Sequence, residues 1–347
     1  MSGHVLVVRL DNDGDVLLAG PAIRAVAAGA ERVTLLCGPR GRAAAELLPG
    51  VDEIVVYRAP WIDPEPEPVD QRAILELVAE LAGREIDEAF ILTSFHQSPL
   101  PTALVLRLAG VPVVAATSED YPGSLLDVRH RIDDDVHEVE RSLSLVATRG
   151  YRLPEDDDGR LAVTRQADGS ASPAGEPPYV VVHPGASVPA RTWPAERHAT
   201  LVKALVGRGR RVVVTGSGGE AGLTAFVAGP EPPGVLDLAG RTTFAELADV
   251  LGRADAVVVG NTGPAHLAAA LGTPVVSLYA PTVPAVRWRP WRVPHVLLGD
   301  QEAPCAGSRA RICPVPGHPC LSRVTVEDVL EAVEAMAAAR PLAGVAA

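Results

Sequence analysis

Three aspartates spaced two residues apart, Asp11, Asp13 and Asp15, follow directly on the apolar run "HVLVVRL". Carboxylates this close repel one another, so a chain that gathers them at a strand end needs a compensating role for them. Two chemistries suit the pattern: general-base removal of a proton, and contact with a hydroxylated or cationic ligand. Calcium does not suit it. With Asp11 as the first position of a calcium loop, Gly14 falls at the fourth position rather than the sixth, and the twelfth is Ala22 rather than a glutamate. For Asp11 and Asp13 a solvated acidic loop is the plain alternative.

Three loops in the second half have the residues to hold phosphates. In "VVVGNTGPAHLAAALGTPVV" a buried strand ends at Gly260, Thr262 stands where it can cap, and Pro264 suits a first helical turn. A helix start offers free N–H groups and a positive dipole end, and His266 would lie in that first turn. In "HPGASVPARTWP", Ser187 supplies a hydroxyl and Arg191 a permanent charge suited to a forked contact with a diphosphate. In "TGSGGEAGL", Glu220 could accept both hydroxyls of a ribose. Each loop alone is also an ordinary turn; the three together are the signal.

The elements that must position these loops alternate between strand and helix. Strand-like runs at "HVLVVRL", "RVTLLC", "DEIVVY" and "EAFILT" are followed by helical spacing such as 70–83 and 99–109. Residues 151–177, with "LPEDDDGR" and "ADGSASPAGEPP", read as a linker by composition. Alternation resumes with "YVVVHPG", "RRVVVTGSGGE", "ADAVVVGNTG" and "PVVSLYAPT". The fold class is therefore α/β, with two doubly wound Rossmann-like domains, 1–170 and 171–323, and ligands expected in a cleft at the strands' C-terminal ends. The last helical stretch, 324–338, could cross back to the first domain.

Composition removes several classes. At 347 residues, 47% hydrophobic and 21% charged, the chain suits two globular domains. The first apolar run meets Arg9 and Asp11 too soon for a signal peptide, and no window nears the roughly 18 apolar residues of a membrane span. A cytoplasmic protein is expected. Cys37 reads as a small buried hydrophobe. Cys305, Cys313 and Cys320 share a Pro/Gly-rich loop with His318, a spacing open to metal or redox chemistry; lacking a Cys-x-x-Cys pair, a structural loop without metal is favoured. No G-x-G-x-x-G follows either domain's first strand, and no G-x-x-x-x-G-K-[ST] occurs, which disfavours dinucleotide-dependent oxidoreductases and P-loop enzymes.

The ordered motifs "VLVVRLDNDGDVLLAGPAIRAV", "HPGASVPARTWP", "TGSGGE", "GNTGPAHLAAALGTPVVSLYAPT" and "CAGSRARICPVPGHPCLSRVTVEDV" resemble glycosyltransferase family 9, the heptosyltransferase group. The resemblance covers most of the chain. It implies a GT-B fold, with an acceptor domain followed by a nucleotide-sugar domain, and inverting transfer without a metal, typically from an ADP-activated heptose. It implies that Asp15, of the Gly14-Asp15 pair, is the general base. It also implies donor contacts at Ser187, Glu220, Thr262, Gly263 and His266. Arg191 stands where the family often has lysine, and Asn261 where it often has an aspartate that contacts the sugar. No cofactor beyond the nucleotide-sugar, no nucleic acid and a monomer are expected. A membrane-surface heptosyltransferase of the lipopolysaccharide type and a nucleotide-sugar epimerase or hydrolase of the same fold stand as alternatives.

Charge points to the acceptor. Residues 1–150 carry 13 arginines against 24 carboxylates, a net −11, so nearly all of the chain's −12 lies in the half expected to hold it. A field of that sign repels anionic lipid and attracts cations. The expected acceptor is soluble and neutral or amine-bearing, met by Asp11, Asp13 and His96; a surface charged only for solubility is the plain alternative.

Overall fold

A computed structural model describes residues 2–132, 135–164, 172–230 and 233–339. The chain divides after Thr164 into two compact units. The boundary expected at 170/171 lies outside the described residues.

The first unit runs β1 (Ser2–Arg9), α1 (Asp13–Ala27), β2 (Ala30–Cys37), α2 (Arg42–Ala45), β3 (Glu53–Val56), α3 (Gln71–Ala82), β4 (Glu88–Ile91), α4 (Leu100–Leu108), β5 (Val113–Thr117), β6 (Val128–His130) and α5 (Glu138–Ala147). Its six strands are parallel, in the order β3-β2-β1-β4-β5-β6. Val5, Leu6, Val7 and Val8 of β1 are wholly buried. That is why the strand is a continuous apolar run rather than an alternating one: a central parallel strand is covered on both faces.

The second unit runs β7 (Val180–His183), α6 (Ala195–Gly207), β8 (Val212–Val214), α7 (Ala221–Ala228), β9 (Val235–Asp237), α8 (Phe244–Arg253), β10 (Ala256–Gly260), α9 (Gly263–Ala270), β11 (Val275–Leu278), α10 (Ala285–Trp288), β12 (His295–Leu298), α11 (Pro319–Ser322) and α12 (Val326–Ala338). Its parallel sheet is ordered β12-β11-β10-β7-β8-β9. Both sheets thus grow outward in two directions from a first strand. The chain reverses between β1 and β4 in one sheet, and between β7 and β10 in the other. At such a switch point two adjacent loops part, leaving a crevice at the strands' C-terminal ends.

Two expectations change. The stretch 324–338, which by sequence could cross back to the first unit, contains α12, and α12 belongs to the second. There Val329, Leu330 and Val333 are buried in a core with Val258, Val276 and Leu201, and Thr325 caps the helix. Nor is 151–164 a free linker. Tyr151 packs edge-on against Phe90 with ring centroids 5.4 Å apart, Leu161 is buried, and Asp157 pairs with Arg24 at 2.6 Å. Its acidic composition reflects a partner at the end of α1, which composition alone cannot show. No helix among the described residues is long and apolar enough to cross a membrane.

The loop after β2 lies directly against the loop after β1. A Cβ on Gly38 would strike the carbonyl oxygen of Leu10, and backbone cannot step aside as a side chain can. Gly38→Ala is expected to destabilise the protein by about 1–3 kcal/mol through overpacking. Gly222→Ala, in α7 with open space around it, should be neutral or stabilising by up to about 1 kcal/mol. Urea unfolding of the two variants checks this pair.

Candidate functional site

The first cluster forms where β1 ends. Arg9, its last residue, is among the largest fully buried side chains of the protein, with about 1% exposure. A guanidinium carries five donors and keeps its charge, so burial is tolerable only if partners surround it. Four do. Nη2 donates to Asp15 Oδ1 at 3.1 Å and to Ser94 Oγ at 2.8 Å, and Nη1 donates to Glu138 Oε2 at 3.4 Å. Nε lies 2.9 Å from Asp11 Oδ2, an ion pair by distance that is not aligned as a hydrogen bond. Gln97 clasps the group from behind: its amide donates to Asp11 Oδ1, and its carbonyl accepts from the Ser94 N–H at 3.0 Å. Arg9, Ser94 and Gln97 come from β1 and from the loop after β4, the two sides of the switch point. Glu138 arrives from the first residue of α5.

One cation therefore serves three carboxylates. For Arg9, burial opposes the charge, but Asp11, Asp15 and Glu138 together outweigh it and hold the guanidinium above the ordinary arginine value. Burial pushes Asp11 up to about 6, with Arg9 pulling it back and Asp15 adding to the rise. Burial likewise raises Glu138, against Arg9 and Arg141.

The three aspartates part company here. Asp11 is committed to Arg9 and Gln97, its side chain only 8% exposed. Asp15, in the first turn of α1, is 20% exposed; Arg9 engages Oδ1, and Oδ2 accepts no hydrogen bond among the described residues. Asp13 takes a hydrogen bond from the Ala44 N–H at 3.0 Å at the start of α2, and burial pushes it up to about 6 against that bond. Helix α1 opens without a side-chain cap, the backbone N–H groups of Asp15 and Val16 bonding to Asn12 O at 3.0 Å. His96 is exposed, its ring edge-on to Phe95 at 5.5 Å.

Beside Asp11 and Asn12 a shallow pocket opens, flanked by Arg40 and Arg58. Both arginines face carboxylates of the following loop. Asp63 lies 3.7 and 3.6 Å from them, Glu65 3.3 Å from Arg40, and Glu67 3.0 Å from Arg58.

The second cluster surrounds the ends of β7 and β10. The chain leaves β7 through Pro184, Gly185 and the exposed Ser187, then makes a 3-10 turn, Pro189–Arg191. The Arg191 carbonyl lies close against Gly260, so this turn crosses the end of β10. Thr262 occupies the N-cap position of α9, but its side chain makes no capping bond, contrary to the cap read from the sequence. Pro264 has no N–H and the Ala265 N–H donates to Thr262 O at 3.0 Å, so Gly263 carries the first-turn N–H that the Thr262 side chain leaves unserved. Gly263 opens the helix, Pro264 lies in its first turn, and His266 is buried there. Asn261 is buried as well, its amide 3.3 Å from the Tyr279 hydroxyl, which in turn donates to Pro284 O. Burial drives the Tyr279 phenol well above its usual range, with Arg191 opposing. Glu220 closes a capping box, accepting from Ser217 N at 2.7 Å and Oγ at 2.8 Å, and its carboxylate presses on Gly185. Beneath it, burial lowers His183, and burial with His183 nearby takes His198 down to about 3.

The structure thus brings Ser187, Arg191, Asn261, Thr262, Gly263 and His266 to one switch point and sets Glu220 beside them. At the other it gathers Asp11 and Asp15, with Asp13 turned to α2 and His96 at the surface. Sequence reading missed Arg9, Ser94, Gln97, Glu138 and Tyr279. Arg9 had a visible signal, a charge closing an otherwise apolar central strand; Glu138 had none, standing 129 residues away.

The cysteine loop is part of the fold. Cys305 and Cys320 are buried in the second unit's core, Cys313 donates to Val315 O at 3.4 Å, and all are free thiols. Burial first, then Cys305 and Cys313, pushes Cys320 up to about 11. No metal-holding group of three or more His, Cys, Asp or Glu occurs among the described residues.

Two doubly wound units, each with one reversal of strand order, have the architecture of the GT-B class, and the known structures agree. The structure of Escherichia coli ADP-heptose lps heptosyltransferase II superposes with a TM-score of 0.75 at 22% identity, covering 98% of this chain and 99% of that one. A glycosyl transferase family 9 structure from Veillonella parvula gives 0.77 at 18% identity, covering 97% of each. The model of glycosyltransferase family 9 (heptosyltransferase) matches residues 78–317, and the chain belongs to that family. Among curated relatives, lipopolysaccharide heptosyltransferase 3 of Escherichia coli is 32% identical over 162 residues, which cover 45% of this chain. Lipopolysaccharide heptosyltransferase 1 of Pseudomonas aeruginosa is 32% identical over 240 residues, covering 66% of this chain and 64% of that protein. The chain spans about half, 46%, of the first of these relatives.

Asp13 supplies a prediction of sign. Its folded-state value of about 6 lies above the ordinary carboxylate value near 4. Between the two the folded protein keeps a proton that the unfolded chain has lost, so stability falls as pH rises through this window, and the full cost applies above it. Asp13→Asn keeps an acceptor for Ala44 and removes the charge. Thermal unfolding should show the variant more stable than wild type by up to about 3 kcal/mol at pH 7.5, with the gain vanishing towards pH 4.

Proposed function

We propose that the protein transfers heptose from ADP-heptose to an acceptor hydroxyl, with inversion and without a metal. The carrying observation is the placement of Asp15: one carboxylate oxygen is held by buried Arg9, the other lies outside that network, and both sit at the end of the central strand of the first unit. A carboxylate fixed at one oxygen and open at the other suits a general base. The acceptor hydroxyl gives its proton to Asp15 as its oxygen bonds to the anomeric carbon. The bond from that carbon to the diphosphate oxygen breaks with its electron pair, and ADP leaves. A single displacement inverts the centre.

The second unit is read as the donor domain. A diphosphate would meet the backbone N–H groups of Thr262 and Gly263 at the start of α9, together with Arg191, Ser187 and His266; helix start and arginine would supply the positive potential that the leaving group needs. Glu220 would accept from the ribose, and Asn261 would face the sugar.

The acceptor is read as soluble and neutral or amine-bearing, with Asp11, Asp13 and His96 on its side, and the protein as a cytoplasmic monomer. The net charge of −11 over residues 1–150 supports the reading of the acceptor. So does the pocket beside the first cluster, whose two arginines already face Asp63, Glu65 and Glu67 of their own chain. A second reading, transfer to a phosphorylated lipid, is favoured by the names of the relatives.

Asp15→Asn is expected to lower kcat by about 100-fold or more while the Kd for ADP stays within twofold. EDTA should leave wild-type turnover unchanged. Wild-type turnover in the variant would refute the base assignment. ADP at 100 times its Kd should stabilise the protein by about 2.7 kcal/mol, and UDP or dTDP by far less. For the acceptor, 2-deoxystreptamine and a lipid-A-type acceptor are offered with ADP-heptose at low and high salt. The charge argument predicts transfer to the aminocyclitol; transfer to the phosphorylated lipid alone would contradict it.

A further inference from the structure

We propose that Arg9 is the positioning residue for Asp15, orienting the base through a guanidinium hydrogen-bonded at both Nη and ion-paired at Nε, with Glu138 holding Nη1. This rests on the reading of Asp15 as the general base.

The geometry is specific to a fork. Nη2 reaches Asp15 Oδ1 and Ser94 Oγ together, which fixes that edge of the plane beside the ends of β1 and β4. Rotation about the side chain would require Nε to leave Asp11 and Nη1 to leave Glu138. Each hold comes from a different element: the loop after β1, the start of α1, the loop after β4 and the start of α5. The plane therefore has one orientation, and the Asp15 carboxylate inherits it. A base gains from this because effective proton transfer depends on a fixed approach to the acceptor hydroxyl, and displacements near 1 Å can lower rates about 100-fold. Lysine would keep the charge but replace the rigid fork with a point charge that cannot serve all four partners.

The test is a double-mutant cycle on steady-state ADP release from ADP-heptose, with water and with 2-deoxystreptamine as acceptors. Arg9→Lys is expected to lower kcat at least tenfold, with the KM for ADP-heptose within twofold of wild type. In the Asp15→Asn background the same substitution should add less than a twofold loss, because Arg9 acts through Asp15. Glu138→Gln, which keeps an acceptor oxygen for Nη1, should lower kcat threefold to tenfold, and this loss too should vanish in the Asp15→Asn background. It carries the test if Arg9→Lys does not fold, as judged by circular dichroism. Losses that multiply on the Asp15→Asn background would overturn the proposal, as would near-normal turnover in both variants while Asp15→Asn is impaired. Normal turnover in Asp15→Asn itself is a different failure: it removes the base assignment, and this proposal with it.

Discussion

A guanidinium buried at the end of the central strand, and shared by three carboxylates, is the constraint around which the first unit is organised. Removing Arg9 from water would be prohibitively unfavourable without ionic partners, and each carboxylate would be unfavourable there without Arg9. The dependence is mutual, and it ties together segments far apart in sequence: the β1–α1 loop, the loop after β4 and the first turn of α5. Asp11 and Glu138 are both shifted upward, by burial first, with Arg9 opposing and Asp15 adding to the rise. A site with this imbalance costs stability and is of use chiefly where function needs a fixed, partly exposed carboxylate. Of the three carboxylates on Arg9, Asp15 is the most exposed, at 20% against 8% for Asp11 and 2% for Glu138.

The second unit solves a different problem with the same topology. Here the switch point carries a helix start whose N-cap hydroxyl makes no capping bond, a 3-10 turn laid across the end of β10, and a tyrosine that takes up the Asn261 amide. Positive potential comes from backbone orientation and from Arg191 rather than from a crowd of lysines, of which the chain has one. The duplicated strand order explains why both clusters fall at the ends of first and fourth strands. Loops that part on either side of a reversal leave room that adjacent hairpins or crossovers do not.

How much of this was legible in the sequence depends on the range of the interaction. Central strands and capped helices follow from local pattern: "VLVVRL" marks β1, and 70–83 contains α3, with Asp70 accepting from the Arg72 N–H. The short strands β6 and β9, three residues each and only half-buried, carry too little periodicity to be seen. The loops after β7, β8 and β10 stood out in the sequence because each keeps its polar residues within a dozen positions. The aspartate cluster was visible in the sequence as a run of carboxylates but not as a structure. Its three members look equivalent in "DNDGD", yet one pairs with Arg9 and Gln97, one with the Ala44 backbone, and one stays partly exposed. Those assignments depend on Ser94, Gln97 and Glu138, whose proximity only the folded chain creates. The acidic stretch around Asp157 misled for the same reason, since composition does not reveal Arg24 as its partner.

The central claim is that Arg9 is immobilised by its carboxylates and fixes Asp15. Nitrogen-15 NMR of the arginine side chains reads this directly, with Arg9 assigned by its loss in Arg9→Lys. A guanidinium hydrogen-bonded at both Nη1 and Nη2 should give separate signals for the two, with protons that exchange slowly with water, and Asp15→Asn should displace the Nη2 signal selectively. A single averaged Nη signal in fast exchange with solvent, unmoved by Asp15→Asn, would contradict the account.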